Sequence, residues 1–463
     1  MATIETDSEP AKHSGAPRGA FASSEDEPMR RVLIIAAYFL PRRRVGSMRP
    51  FRFAIHLREL GWAPTVLTIA APGQKLTPKE ERLLHDVNVI EISSPMDRTR
   101  KSESQLGGEK HGGGRSRRRL AGWIDRLERQ VPVDTWMLLY AARYRRLIEV
   151  VQQLKPDVIM ATGDPWSSLV IGGRLAERFG LPYVADFRDP WTLSAVRTAD
   201  QWRIPRAVDR RFERRIVERA SMVLFQSERV EEMYREHYRD VDFRSRTIPN
   251  SFDPVVFDDP IDLESATAHA VSPGDGLRIG FFGRFRRMSP ARLIADALAE
   301  MGHMDAAAAE AVLVTSFGPL SSDDEEYAAE QGVLSRFTSA EPVPLERSLS
   351  TLREFDILLL STEESRTHII PAKLFEYLAA GRPILSLSRN TAVAEILKTT
   401  GSGVQLTDSR EVAALLLACL HARRKGEPMP IAFDPNPDEI RRYEARQTTH
   451  DLATLFDEIV DGI

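Results

Sequence analysis

The chain has 463 residues, 42% of them hydrophobic and 28% charged, which is the balance of a folded globular protein with two or three domains. Its 63 Lys and Arg residues against 67 Asp and Glu residues give a net charge of −4, which excludes a protein-wide basic field for binding nucleic acid. The single cysteine, Cys419, excludes a disulfide framework and a thiolate metal site, and a reducing, cytoplasmic setting is expected.

The first 29 residues are polar and acidic. They lack the apolar segment of a signal peptide, so residues 1–29 are predicted to be a disordered tail. No later segment approaches the roughly 18 uninterrupted apolar residues that a membrane span requires. Any contact with a bilayer is therefore expected to be peripheral.

Short apolar runs alternate with segments of helical period from residue 31 onward, a pattern typical of parallel sheets wrapped by helices. A first α/β domain is predicted over residues 31–261, in which a helix over 48–60 ends at Gly61 and joins the first two strands. Further helices are predicted over 127–154 and 168–179. The predicted strands are 32–38, 65–69, 87–92, 157–162, 183–187 and 222–225.

Residues 97–119, inside this first domain, are rich in Gly, Ser, Lys and Arg and are predicted to form a mobile loop. Its end carries Arg115, Arg117, Arg118 and Arg119, and apolar residues follow. This pattern fits either a solvated loop before an ordinary helix or a basic amphipathic patch that contacts anionic lipid.

A second α/β domain is predicted over residues 277–435, with strands at 277–282, 312–316, 357–360 and 384–387. After a Pro-rich stretch, residues 438–460 have the pattern of one amphipathic helix, with Leu452, Leu455 and Ile459 on its apolar face. That face needs a surface to cover.

Several common nucleotide and metal motifs are absent from the sequence. There is no G-x-x-x-x-G-K-[ST] loop and no G-x-G-x-x-G after the first strand, which removes the main support for an NTPase or an NAD-dependent dehydrogenase. There is no HExxH motif, and Asp240 and Asp242 follow a charged helix end rather than an apolar strand. No metal site is therefore predicted.

A glycine-bearing turn follows the first predicted strand, within residues 38–50, and opens directly onto a helix. The backbone N–H groups of Gly46 and Ser47 are thereby placed at a helix amino terminus, where they can face anionic oxygen. The alternative is an ordinary helix start with Ser47 as its capping residue.

Two segments of the second domain carry candidate ligand-binding residues. Gly283 and Arg284 follow the first strand of that domain, where open sheets bind ligands and an arginine can pair with phosphate. In a predicted helix over 371–381, Lys373 and Glu376 share one face of the first turn. They fit either a nucleotide, with the cation on diphosphate and the carboxylate on ribose, or an exposed ion pair.

The sequence resembles glycosyltransferases of the GT-B fold and is similar to family four, the retaining sugar-nucleotide-dependent enzymes, over about residues 31–460. The matching stretches are 38–50, 163–168, 186–191, 248–253, 283–284 and 371–383. The resemblance implies two Rossmann-like, doubly wound α/β domains facing each other across a cleft. The first would bind the acceptor and the second the nucleotide sugar, with the carboxy-terminal helix crossing back to the first domain.

The resemblance also implies roles for single residues. Gly46 and its turn face the acceptor side of the diphosphate, Arg284 and Lys373 bind the diphosphate, and Glu376 binds the donor ribose. His368 stands where the family has a sugar-contacting glutamate, so it is assigned to the donor site.

The catalytic candidates are two carboxylates near the end of a predicted strand. Asp186 or Asp189 could orient or deprotonate the acceptor hydroxyl, and the alternative is a structural ion pair with Arg188 between them. The family's usual lysine after Gly-Arg is missing, as is its histidine after the fifth strand. No metal cofactor is expected, because Arg284 and Lys373 would neutralise the leaving diphosphate.

The predicted function is transfer of a sugar from a nucleoside-diphosphate sugar to a hydroxyl of a glycan or lipid-linked acceptor. Cell-envelope polysaccharide or glycan assembly is the setting that the resemblance implies. One alternative is a protein that binds a nucleotide sugar without transferring it, as a scaffold or regulatory partner. The other is a nucleotide-sugar epimerase on the same architecture.

Overall fold

The computed structural model of the protein describes residues 29–93, 130–194, 198, 201–264, 266, 274–364 and 366–462. The predicted tail over 1–29, apart from its last residue, and the predicted basic loop over 97–119 lie outside the described residues. Within the described ranges, no helix is both long and apolar enough to cross a membrane.

The first sheet has seven parallel strands in the order β3-β2-β1-β4-β5-β6-β7. Its central strands are fully buried because helices cover both of its faces. The strands are β1 Arg30–Ile35, β2 Trp62–Ile69, β3 Asn88–Ile92, β4 Val158–Gly163, β5 Tyr183–Phe187, β6 Met222–Phe225 and β7 Ser245–Thr247. The helices are α1 Met48–His56, α2 Pro78–Leu83, α3 Met137–Ala142, α4 Tyr144–Leu154, α5 Ser167–Phe179, α6 Arg203–Arg219 and α7 Glu228–His237.

The second sheet has six parallel strands in the order β10-β9-β8-β11-β12-β13. Its strands are β8 Leu277–Phe281, β9 Val312–Phe317, β10 Phe337–Ala340, β11 Ile357–Ser361, β12 Ile384–Leu387 and β13 Gly403–Leu406. The helices are α8 Arg292–Met304, α9 Ala306–Ala309, α10 Ser322–Glu330, α11 Leu345–Arg353, α12 Lys373–Ala380, α13 Thr391–Thr400 and α14 Ser409–Lys425. The predicted doubly wound α/β class is confirmed.

The strand order reverses once in each sheet, and the candidate segments lie at these two points. In the first sheet β1 lies between β2 and β4, and in the second sheet β8 lies between β9 and β11. Loops after such strands diverge and leave a crevice outside the carboxyl ends of the sheet. The turn with Gly46 follows β1, Gly283 follows β8, and the segment with His368 follows β11.

The carboxy-terminal segment was predicted as one helix over 438–460, and this is wrong because two helices form there, α15 Pro437–Arg441 and α16 Ala445–Val460. Between them, the backbone N–H of Phe252 donates to the carbonyl of Tyr443 at 3.0 Å. The carbonyl of Phe252 accepts a hydrogen bond from the N–H of Ala445 at 2.7 Å. The backbone leaving the first sheet therefore interrupts the helix. The predicted crossing to the first domain is confirmed, since Trp62 meets Phe456 of α16 edge-on at 5.1 Å.

The predicted helix over 127–154 is also divided. Its described part forms α3 and α4, which are separated at Arg143. Three strands that the sequence pattern did not predict, β7, β10 and β13, complete the sheets, and each of them is an edge strand.

The apolar core has three parts. One cluster fills a face of the first sheet around Ile159 and Phe187, and another fills a face of the second around Ile279 and Leu416. The third cluster begins on the opposite face of the first sheet, continues through α16 with Leu452, and ends on the opposite face of the second sheet. The two α/β units therefore share a continuous apolar contact on the side of the crossover helix.

Candidate functional site

The turn after β1 packs against the buried guanidinium of Arg188, which follows β5. A Cβ added at Gly46 would lie 1.6 Å from Nη1 of Arg188, so only glycine leaves room for that guanidinium. The N–H of Ser47 donates to the carbonyl of Arg44 at 2.9 Å, and the Ser47 hydroxyl donates to the carbonyl of Arg42. Of the two interpretations of this turn, the one in which the Ser47 N–H faces an anion is therefore wrong.

Arg188 and Asp189 form the ion pair that the sequence left open. Nε of Arg188 lies 3.1 Å from Oδ2 of Asp189, and its Nη2 donates to the carbonyl of Asp164 at 3.3 Å. The Asp189 side chain keeps a third of its surface exposed. Its carboxylate is therefore both oriented by Arg188 and open to a hydroxyl group.

Asp186, the other predicted catalytic carboxylate, is in a different environment. It has no exposed surface, and its two oxygens accept from Nη2 and Nε of Arg49 at 3.0 Å each. The hydroxyl of Thr162 donates to the same carboxylate at 2.8 Å. Arg49 also donates to the carbonyls of Ile248 and Pro249. This arrangement ties α1 to β5 and to the chain leaving β7, which is a structural role.

Lys373 reaches from the start of α12 to the end of β8. Its Nζ lies 3.8 Å from the ring centroid of Phe281, and a Cβ added at Gly283 would lie 3.1 Å from that nitrogen. Gly283 has a φ of +145°, which a residue with a side chain rarely adopts. Arg284 follows this glycine with an exposed side chain. The structure thus brings Lys373 and the Gly283-Arg284 turn together.

The electrostatic state of Lys373 follows from this position. Burial and, to a smaller extent, the nearby Arg286 lower the pKa of Lys373 to about 7, while Glu376 opposes the shift. Lys373 lies beside an aromatic ring and another cation, and these neighbours do not neutralise its positive charge. A bound diphosphate would supply the neutralising negative charge.

Glu376 lies one turn into α12 and does not form the ion pair with Lys373 that was the alternative interpretation. Its Oε1 lies 3.1 Å from Nη2 of Arg52, which belongs to α1 on the first sheet. The Arg52 side chain is 5% exposed and also donates to the carbonyl of Ser251, whereas the Glu376 side chain is 17% exposed. The candidate ribose ligand is therefore held by the opposite α/β unit.

His368 and Asp189 interact electrostatically. Burial lowers the pKa of His368 and Arg366 lowers it further, while Asp189 opposes both effects. Burial also lowers the pKa of Arg366, Asp189 opposes that shift, and Arg286 and Arg287 on the turn after β8 add to it. The Nε2 atom of His368 is buried and has no hydrogen-bond partner. The lowered pKa favours the neutral form of this ring.

The sequence analysis did not single out Arg52 and Arg366, which lie beside these candidate residues. Among the described residues, no three His, Cys, Asp or Glu side chains are grouped so that they could hold a metal ion. The charged groups at this cleft are mainly cations, which suits an anionic ligand.

Known proteins resemble this chain in sequence and in fold. Residues 49–251 match the family described as Glycosyl transferase 4-like domain. No curated protein gives a significant match. Among solved structures, the chain is similar to sucrose-phosphate synthase from Thermosynechococcus elongatus, with a TM-score of 0.62, 14% identity and coverage of 94% of this chain and 100% of that one.

Two further structures share the fold. One is Anabaena Alr3699/HepE in complex with UDP, with a TM-score of 0.58, 15% identity and coverage of 92% of this chain and 100% of that one. The other is WaaG, a glycosyltransferase involved in lipopolysaccharide biosynthesis, with a TM-score of 0.54, 14% identity and coverage of 93% and 100%. The predicted resemblance is thereby confirmed: the chain has the GT-B fold, and its residues 49–251 match a glycosyl transferase 4-like domain.

Proposed function

We propose that the protein transfers a sugar from a nucleoside-diphosphate sugar to a hydroxyl acceptor. The observation that carries this proposal is the convergence of Lys373 with the Gly283-Arg284 turn, one helical turn from Glu376. Together they offer two cations at the strand end and a carboxylate beside them. A diphosphate fits the cations, and the hydroxyls of its ribose fit the carboxylate.

The proposed reaction needs electrostatic rather than covalent help from the protein. As the bond between sugar and diphosphate breaks, negative charge grows on the leaving group, and fixed cations lower the barrier. Arg284 and Lys373 supply these cations at the diphosphate. His368 is assigned to the donor sugar because it stands where the family has a sugar-contacting glutamate.

On the acceptor side, the proposal assigns Asp189 rather than Asp186 to the incoming hydroxyl. Asp189 is exposed and its carboxylate is oriented by Arg188, whereas Asp186 has no accessible oxygen. Gly46 contributes by leaving space for Arg188. The family resemblance supports a retaining outcome, and the acceptor is proposed to be a glycan or a lipid-linked glycan of the cell envelope.

We further propose that transfer needs no divalent metal and takes place in the cytoplasm, with peripheral contact to a membrane where the acceptor is lipid-linked. Support for the first point comes from Arg284 and Lys373, which stand where a metal would otherwise neutralise the diphosphate. Turnover should persist in excess EDTA. Loss of turnover in EDTA that magnesium or manganese restores would contradict this part of the proposal.

Donor binding is tested by titrating the protein with UDP, GDP, ADP, CDP and dTDP in a thermal-shift and calorimetric panel. At least one of them should bind, and Glu376→Ala should weaken that binding about ten- to a hundredfold, as expected for losing a hydrogen bond to a charged group. Lys373→Ala should weaken it as well, whereas Lys425→Ala, at the exposed end of α14, should not. If no nucleotide binds, the proposal fails.

A protein that binds the nucleotide sugar without transferring it is the second candidate, and His368 in place of the family's glutamate favours it. Acceptor-dependent release of nucleoside diphosphate separates the two functions. Transfer predicts release that increases with acceptor and is lost in Asp189→Asn. Tight donor binding without release would assign the protein to the second function.

A further inference from the structure

Arg52 lies at an unusual place for a residue of the acceptor unit. It belongs to α1 on the first sheet, yet Nη2 lies 3.1 Å from Oε1 of Glu376 on α12 of the second. The Arg52 side chain is only 5% exposed. Solvent and salt therefore screen this ion pair less than they screen a pair on the surface. Its strength therefore depends on the two α/β units keeping this relative position.

A second hydrogen bond, made by its other terminal nitrogen, holds the guanidinium of Arg52 in place. Its Nη1 donates to the carbonyl of Ser251, in the segment by which the chain leaves the first sheet. The next residue, Phe252, forms a parallel bridge with Glu444, where the chain crosses back. Both crossings between the two units therefore meet beside Arg52.

The second unit contributes to the same place. Phe375, the neighbour of Glu376 on α12, packs on Tyr443 with ring centroids 5.5 Å apart. A carboxylate held by a fixed arginine keeps one oxygen in place and leaves the other to accept a hydrogen bond. Glu376 retains 17% of its side-chain surface for such a contact.

We infer that Arg52 is a positioning residue for the donor, which holds the Glu376 carboxylate toward the ribose and links that contact to the crossing segments. The inference rests on the proposed function, because it takes the ribose as the partner of Glu376. It makes Arg52 part of ribose recognition although Arg52 touches no part of the donor. The alternative is that Arg52 competes with the ribose for the carboxylate, and binding measurements separate the two.

The test compares ligands that differ only at the ribose. Binding is measured by calorimetry for UDP and 2′,3′-dideoxy-UDP, with the GDP and ADP pairs in parallel and inorganic pyrophosphate as the ligand without ribose. In the wild type the ribonucleotide should bind more tightly than its dideoxy counterpart. Arg52→Met, which removes the charge and keeps the stem, should reduce that preference about tenfold and leave pyrophosphate binding unchanged.

Three further variants make the result specific. In a Glu376→Gln background, Arg52→Met should cause no additional loss of ribose preference, since the two residues act as one unit. Arg246→Ala, which removes a different ion pair to the crossover helix at 3.0 Å from Glu458, should keep the full preference. If Arg52→Met does not fold, Arg52→Lys serves, because it keeps one donor and should retain part of the preference.

The outcomes are separable from those of the proposed function. If no nucleoside diphosphate binds the wild type, the proposed function fails and the inference falls with it. If Glu376→Gln loses the ribose preference but Arg52→Met and Arg52→Lys keep it, only the inference is overturned. Tighter ribonucleotide binding in Arg52→Met would also overturn it, since that result means competition.

Discussion

Lys373 offers a prediction with a defined pH range. Its Nζ lies on the ring of Phe281 and near Arg286, and burial lowers the pKa of the free enzyme's Lys373 to about 7. A diphosphate placed on this nitrogen favours the charged form and raises its pKa. Donor binding should therefore take up a proton wherever the free lysine is neutral and the bound lysine is charged.

The magnitude follows from the two protonation states. With a pKa of about 7, Lys373 is about half protonated at pH 7 and only about 3% protonated at pH 8.5. If the diphosphate binds the charged form, affinity should fall about fifteenfold over this interval. The terminal phosphate loses its last proton at about pH 6, so its own titration adds little in this range.

The assay is calorimetric titration of the nucleoside diphosphate in two buffers with different ionisation enthalpies. Near pH 8.5 the wild type should take up about one proton for each ligand bound. Lys373→Arg keeps its charge throughout, so it should bind without proton uptake and with constant affinity. Constant wild-type affinity between pH 7 and 8.5, without proton uptake, would refute this reasoning.

Three other predictions concern the support around the site. Asp186→Asn leaves the buried guanidinium of Arg49 without its carboxylate. Chemical denaturation should therefore show a loss of about 3–5 kcal/mol in the free energy of unfolding. An unchanged denaturation midpoint would contradict the structural role of Asp186. Gly46→Ala must displace Arg188, so turnover should fall about tenfold or more while the melting temperature is kept; full activity would show that Arg188 is dispensable. Burial raises the pKa of Glu213 to about 7, so its contribution to stability is present below about pH 4.5 and is lost as the pH rises through 7. The wild type should lose about 3 kcal/mol of its free energy of unfolding over that range. Glu213→Gln should remove this pH dependence.

The central strands could be predicted because a strand that is buried on both faces needs a run of apolar residues, which is visible in the local sequence. β1, β4 and β8 are rich in apolar residues, and such runs stand out from the helical periods around them. β7 and β10 are three- and four-residue edge strands that contain polar residues and no fully buried residue. They exist because a neighbouring strand supplies hydrogen bonds, which no local pattern records.

The site residues divide in the same way. Gly283, Lys373 and Glu376 stand at the ends of predicted elements, so their position beside the cleft follows from local signals and the rule for open sheets. Arg52 has no such signal, because its contact with Glu376 joins residues 324 positions apart. Only the packing of one α/β unit on the other creates that pair.

The difference between Lys373 and Glu376 shows what helical spacing alone leaves open. Residues three apart share a helix face, which fits either a shared nucleotide or an ion pair between them. In the structure, Lys373 turns toward Phe281 and the cleft end of β8, while Glu376 meets Arg52 of the other unit. Each residue thus gains an environment that the other cannot provide, an aromatic ring for the cation and a buried guanidinium for the carboxylate. A ligand that brings phosphate to one and hydroxyls to the other satisfies both without breaking either contact.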